Sequence, residues 1–121
     1  MPVRYERDDA RRRIVVTMQG PYALPDFLAV IERQQVDHAW AYRALYDLRG
    51  MTGHPTSADL RQSMSLAAQA DQPRGRVAVV TADPVMYRRA CTYAALGRSM
   101  MTMEVFRDVD EAERWLDEPG P

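Results

Sequence analysis

The spacing of apolar residues changes period repeatedly along this chain, and that constrains the fold more than any single residue does. "VRYER" alternates, with Val3 and Tyr5 on one side. After the polar turn "DDAR", "RRIVVTMQG" alternates again, with Ile14, Val16 and Met18 on one side and Val15 and Thr17 on the other. Two β-rich runs about a short polar turn predict an antiparallel hairpin. The second run is apolar on both sides near its centre, which predicts an interior strand. The period then switches to helical. Leu24, Phe27, Leu28 and Ile31 share one stripe, while Glu32, Arg33 and Gln34 fall off it. Pro25 belongs in a first turn, so this helix starts near Leu24. "YRALYDLRG" returns to strand, with Gly50 as its end.

The second half repeats the pattern. "TSADLRQSMSLAAQA" places Leu60, Met64, Ala67 and Ala68 at helical spacing, and Thr56 and Asp59 stand as in a capping box. "RVAVVTA" is a short continuous apolar run, the type that suits a strand covered on both sides. "DPVMYRRACTYAALG" opens on Asp83 as an N-cap and Pro84 in the first turn, and closes on Gly97. "MMTMEVF" is β-rich. "DVDEAERWLDEPG" has Asp108 and Glu111 at capping spacing, with Ala112, Trp115 and Leu116 facing inward. The order is therefore β-β-α-β-α-β-α-β-α. It predicts an α/β fold: a mostly parallel sheet with an antiparallel N-terminal edge strand, right-handed crossovers and helices packed on it.

Size and charge narrow the function classes. The 121 residues suit one domain spanning 1–121. A net charge of −1 makes no electrostatic case for nucleic acid. No apolar run approaches the roughly 20 residues of a membrane span, and the N-terminus lacks a signal-peptide stretch. Cys91 is the one cysteine, so a reducing, cytoplasmic setting fits. All 16 basic residues are Arg. Compositional bias of a GC-rich genome accounts for that, which weakens any argument from arginine geometry. Edge strands in a small sheet make a homodimer a reasonable prior.

The stretch "LYDLRGMTGHPTSADL" holds most of the residues with chemical interest. Asp47 and Arg49 alternate with Leu48, so they share a side near the strand end, as a site or as an ordinary ion pair. Gly50 and Gly53 punctuate the chain that follows. His54 is a candidate base, but no second histidine lies near it, and an exposed loop residue is the plainer reading. Thr56 and Ser57 sit where a hydroxyl either caps a helix or stands exposed at its start. Cys91, among alanines on a helix, reads as a small core residue. Met86, Met100, Met101 and Met103 read as core filling or as the wall of an apolar pocket. Arg11, Arg12 and Arg13, next to Asp8 and Asp9, read as a solvated turn. One cysteine and two separated histidines make no metal site, and "GMTG" lacks the spacing and lysine of a phosphate loop, so no cofactor is expected.

The element order resembles the STAS fold of anti-sigma-factor antagonists and sulphate-transporter tails. "ERDDARRRIVVTMQGPYALPDFLAVIE" and "VFRDVDEAERWL" resemble the SpoIIAA-like group of small bacterial proteins. In antagonists of that family the loop after the third strand carries Asp-Ser-Ser-Gly. A partner kinase, which is also the anti-sigma factor, phosphorylates its second serine. An ungapped reading from "DLRGM" sets Pro55, Thr56, Ser57 and Ala58 against that motif. The resemblance thus implies Ser57 as phosphoacceptor, with Thr56 conservative for the preceding serine. Pro55 and Ala58 depart from the pattern. The overall shape also resembles the lipid-binding CRAL-TRIO fold. The reading that follows is a non-enzymatic regulatory or protein-interaction module that binds its partner through the loop from Gly50 to Ser57 and the helix after it, with Ser57 as the residue for any switch by phosphorylation. The alternative is a small apolar-ligand binder with a pocket between sheet and helices. An enzyme ranks third, because no nucleophile–base pair or cofactor motif appears.

Overall fold

Each change of period becomes an element boundary. The computed structural model describes residues 3–120. Its elements are β1 (Val3–Asp8), β2 (Arg13–Pro21), α1 (Leu24–Val36), β3 (Arg43–Thr52), α2 (Ser57–Ala67), β4 (Val77–Val80), α3 (Pro84–Leu96), β5 (Met103–Phe106) and α4 (Val109–Asp117). The strands form one sheet in the order β1-β2-β3-β4-β5. β1 is antiparallel to β2, and every later pair is parallel. This is the predicted architecture. Among the described residues no helix is long and apolar enough to cross a membrane.

The topology dictates the layers. Each crossover advances to the next strand in the same direction, so crossovers of one hand put their helices on one face. α1, α2 and α3 accordingly share a face. There Ile14, Val16, Ala44, Tyr46 and Val79 pack with Val30, Met86 and Ala90. α4 follows the last strand and is free to cover the other face, where Ala112 and Leu116 pack on Leu45, Ala78 and Val80. β4 is therefore buried on both sides, as its continuous apolar run predicts.

Four sequence readings need correction. Gly50 does not end β3. The ladder with β2 continues from Gln19–Gly50 to Pro21–Thr52, because backbone pairing to a neighbour needs no side chain. Between Thr17–Asp47 and Gln19–Gly50, β3 carries one extra residue. That bulge resets the alternation, so Leu48 and Met51 both face the α1–α3 core. Gln34 is not off the buried stripe of α1. It is fully buried, and its amide Nε2 donates to the Ala39 carbonyl at 2.9 Å, closing the connection after the helix. Cys91 is exposed rather than core, because α3 rests on the sheet through Met86 and Ala90.

The fourth correction concerns the basic run. Arg13 is 3% exposed. Its Nη1 donates to Glu113 Oε2 at 2.6 Å and its Nη2 to Asp117 Oδ1 at 2.7 Å. Glu113 and Asp117 are one turn apart on α4, so a single guanidinium fork spans both. Arg13 thereby fastens α4 to β2 across a hundred residues of sequence. Arg11 stays half-exposed beside the same two carboxylates.

Candidate functional site

β2 to β5 run parallel and each leads into a helix, so four helix N-termini gather along one edge of the sheet. Open α/β folds bind ligands at this edge. Residues 53–56 form the connection from β3 to α2 there. Gly53 has φ +75°, a left-handed conformation that an L side chain adopts only with strain. Pro55 is fully buried and pins the loop to the body. The capping box expected from the sequence is present. Thr56 Oγ1 accepts from the Asp59 N–H at 3.1 Å, and Asp59 Oδ2 accepts from the Thr56 N–H at 3.3 Å. The Tyr22 hydroxyl donates to the same Oδ2 at 3.0 Å, tying the start of α1 to the start of α2. Burial and the Asp59 carboxylate both push the Tyr22 phenol up. No local sequence signal marks Tyr22, because its partner lies 37 residues away.

Ser57 is the first residue of α2 and is exposed. It takes no part in the box, which Thr56 and Asp59 complete between them. His54 is half-buried rather than exposed. Its Nδ1 is enclosed without a hydrogen-bond partner.

Asp47 and Arg49 do share a side, and they bind each other. Arg49 Nε donates to Asp47 Oδ1 at 2.9 Å and Nη2 to Oδ2 at 2.8 Å. The Arg49 backbone N–H adds a third bond to Oδ1 at 3.2 Å. The Arg49 side chain holds the Asp47 carboxyl below the usual carboxylate range, against the opposing effect of partial burial. The charge of Asp108, the N-cap of α4, also acts on Arg49. Asp47 stands opposite Val80 in the ladder, and Val80 packs with Ala112 and Leu116 of α4, so Asp47 lies on the α4 side of the sheet, while α2 packs on the other side. Gly50 lies within β3 between them. The structure thus does not gather Asp47, Arg49, His54 and Ser57 into one cleft.

Between the sheet and the three crossover helices there is a cavity of about 60 Å³. Phe27, Leu48, Leu60, Met86, Met101 and Met103 are among its walls. Three of the four clustered methionines thus line an apolar space, and Met100 lies elsewhere. Pockets that hold drug-sized or lipid-like molecules measure roughly 300–1,000 Å³, so this one suits only a small group. Among the described residues no three His, Cys, Asp or Glu side chains are placed to hold a metal ion.

The model of the SpoIIAA-like family matches residues 13–117. No curated protein matches the chain. Among solved structures, an anti-sigma factor antagonist from Mycobacterium paratuberculosis is similar, with 18% identity and TM-score 0.64, over 96% of this chain and 93% of that one. An uncharacterised protein with a SpoIIAA-like fold from Shewanella loihica is 15% identical with TM-score 0.63, over 94% and 91%. The Bacillus cell-fate determinant SpoIIAA in its phosphorylated form is 16% identical with TM-score 0.56, over 93% and 98%. At these identities the likeness shows the fold.

Proposed function

The chain belongs to the SpoIIAA-like family, and on that premise we propose that it is a single-domain, non-enzymatic regulatory module. It binds a protein partner through residues 53–57 and the start of α2, and phosphorylation of Ser57 switches that binding. The observation that carries this reading is the division of labour at the start of α2. Thr56 and Asp59 complete the capping box, and the neighbouring hydroxyl of Ser57 stands exposed with no part in it. A phosphate on Ser57 would add roughly two negative charges at the positive end of the helix dipole, next to backbone N–H groups without helical partners. The modified state is therefore tolerated by the fold while the surface changes sign. Asp47 and Arg49 are occupied with each other, which supports an anchoring role for them rather than a catalytic one. The phosphorylated form of the Bacillus relative, and the antagonist named among the similar structures, support a protein partner and a phosphorylated state for this chain.

The test begins with intact-mass spectrometry of the chain purified from its native host, followed by peptide mapping. A phosphate-sized increment on Ser57, lost in Ser57→Ala and kept in Thr56→Ala, is the expected result. Partner capture is then compared for the wild type, Ser57→Ala and Ser57→Glu. Loss of one captured protein in Ser57→Glu alone supports the switch. A phosphate mapping elsewhere, or capture indifferent to both substitutions, removes it.

A further inference from the structure

The cavity on the α1–α3 face has an uneven chemistry. Its walls are apolar apart from four side chains: Tyr46, Ser63, Arg74 and Tyr93. None of its lining residues is a carboxylate. Ser63 is already satisfied, since its hydroxyl donates to the Asp59 carbonyl at 3.0 Å. Arg74 and Tyr46 are in contact, Tyr93 lines the same space, and the guanidinium has no ion pair among the described residues.

Arg74 comes from the connection between α2 and β4, and the fold places it firmly. Its neighbour Gly75 passes so close to β3's entry that a Cβ there would stand 2.5 Å from the Tyr42 carbonyl oxygen. Gly75 N–H donates to the Trp40 carbonyl at 3.1 Å. The guanidinium lies over the Trp40 ring, 4.2 Å from its centroid. One Nη donates to the Tyr46 hydroxyl at 3.2 Å, and the other meets Met101 Sδ at 3.7 Å. Nε is enclosed and has no partner. No ion pair forms at Arg74 among the described residues, in contrast to Arg13, which holds two carboxylates. The Tyr46 oxygen accepts from Arg74, so its own O–H remains available. Tyr93 has its phenol pushed up chiefly by burial, and the charge of Arg74 acts on it. Arg74 Nε and the Tyr46 O–H thus stand beside each other without an acceptor, and Tyr93 lines the same cavity. An ionised guanidinium in such a place calls for an anion.

The size and lining of the space define the rest of the ligand. The inner cavity of about 60 Å³ is apolar and has room for a short alkyl chain. Arg74 and Met101 also line a more open groove of about 210 Å³ with Trp40, Ala67 and Met100, which is a route from solvent to the guanidinium. We propose that Arg74, with the hydroxyls of Tyr46 and Tyr93, binds the carboxylate of a short linear monocarboxylic acid whose alkyl tail occupies the cavity. A chain of about four to six carbons fits the space, by comparison with the volume a few water molecules take. The site is independent of Ser57, so failure of either proposal leaves the other standing.

The test is a titration of the full chain with hexanoate, hexan-1-ol and inorganic phosphate, read by chemical-shift perturbation and by thermal melting. Hexanoate is expected to saturate, to perturb resonances of Tyr46, Tyr93 and Met101, and to raise the melting temperature. Arg74→Met should weaken it by about tenfold or more, since a charge-assisted fork is lost. Tyr46→Phe combined with Tyr93→Phe keeps the arginine and the packing, and should weaken it by several-fold; this variant decides the matter if Arg74→Met does not fold. Hexan-1-ol should bind far more weakly than hexanoate. The proposal is overturned if hexanoate shows no saturable binding up to about 10 mM. It is equally overturned if hexan-1-ol matches hexanoate, if phosphate binds as well as hexanoate, or if the variants bind unchanged.

Discussion

The two faces of the sheet differ in how they treat their arginines. On the α4 face nearly every cation finds a partner within the chain. Arg13 forks onto Glu113 and Asp117. Arg43 Nη1 donates to the Leu116 carbonyl at 2.6 Å, and its Nη2 to the Gly120 carbonyl at 2.6 Å. Arg76 Nη1 donates to the Trp115 carbonyl at 3.0 Å. Asp47 and Arg49 close on each other. The result is a helix stitched to the sheet by arginines that reach the end of the chain. On the α1–α3 face Gln34, Ser63 and Tyr22 find acceptors within the chain, but two polar groups stand open. Ser57 is exposed beside a cap that does not use it, and Arg74 faces an apolar cavity without a counter-charge. On the proposed reading, structural work falls on one face and recognition on the other.

The sharpest way to break this contrast is to damage both faces equally and compare the cost. Leu116 is 1% exposed beneath α4. Leu116→Ala should cost about 3 kcal/mol or more in chemical denaturation, because the packed face cannot collapse around the void. On the opposite face, Ala90→Val adds volume toward an existing cavity and should stay within about 1 kcal/mol of wild type. A loss as large as that of Leu116→Ala would mean the cavity is already fully used by packing.

Arginine replacements come next in size. Arg13→Met leaves Glu113 and Asp117 facing an apolar stem. We expect about 1–3 kcal/mol of lost stability, discounted because both carboxylates reach solvent. Arg74→Met strands no carboxylate and should change stability by about 1 kcal/mol at most. Equal losses in urea unfolding would erase the distinction between a structural and a recognition arginine. A smaller effect separates the two hydroxyls at α2. Thr56→Ala should cost about 1 kcal/mol as a lost cap, and Ser57→Ala about 0.5 kcal/mol or less.

Acid should act on the paired regions. Asp117 is held below the usual carboxylate range first by its hydrogen bond to Arg13. Asp47 is lowered first by Arg49, and Asp9 first by the Tyr42 hydroxyl and then by Arg7. A folded-state pKa below the unfolded one means that the unfolded chain binds more protons between the two values. These groups therefore stabilise the fold above the ordinary carboxylate pKa of about 4 and lose that contribution as the pH falls through their lowered values. Melting temperature should be level from neutrality down to about pH 5 and fall below about pH 4. Asp117→Asn should lower the neutral-pH melting temperature and flatten the acid limb. An unchanged acid limb would assign the fall to Asp47, Asp9 or other carboxylates.

The elements of this fold were legible because they rest on local chemistry. Val3 and Tyr5, or Ile14, Val16 and Met18, declare a strand by their spacing alone. Asp83 with Pro84, and Thr56 with Asp59, declare a helix start within four residues. The continuous apolar run of β4 told that both its sides are covered. The start of α2 was legible in the same way, down to the capping box. What the sequence misjudged depends on distance in three dimensions. Arg13 looked like part of a solvated turn because Glu113 and Asp117 lie a hundred residues on. Gln34 looked like surface because its acceptor, the Ala39 carbonyl, comes from a turn whose path no periodicity records. Cys91 looked buried because small neighbours do not say which side of a helix meets the sheet.

The sequence by itself determined the element order, the parallel sheet with its antiparallel edge and the chemistry of the helix starts, since each follows from periodicity and hydrogen bonds within a few residues. Only the tertiary structure decided which side of the sheet each helix covers, which arginines are neutralised, and that Asp47 and α2 stand on opposite faces. The physical reason is that backbone pairing and capping are short-range, whereas the partner of a buried charge and the shape of a cavity are set only when segments distant in the chain pack together.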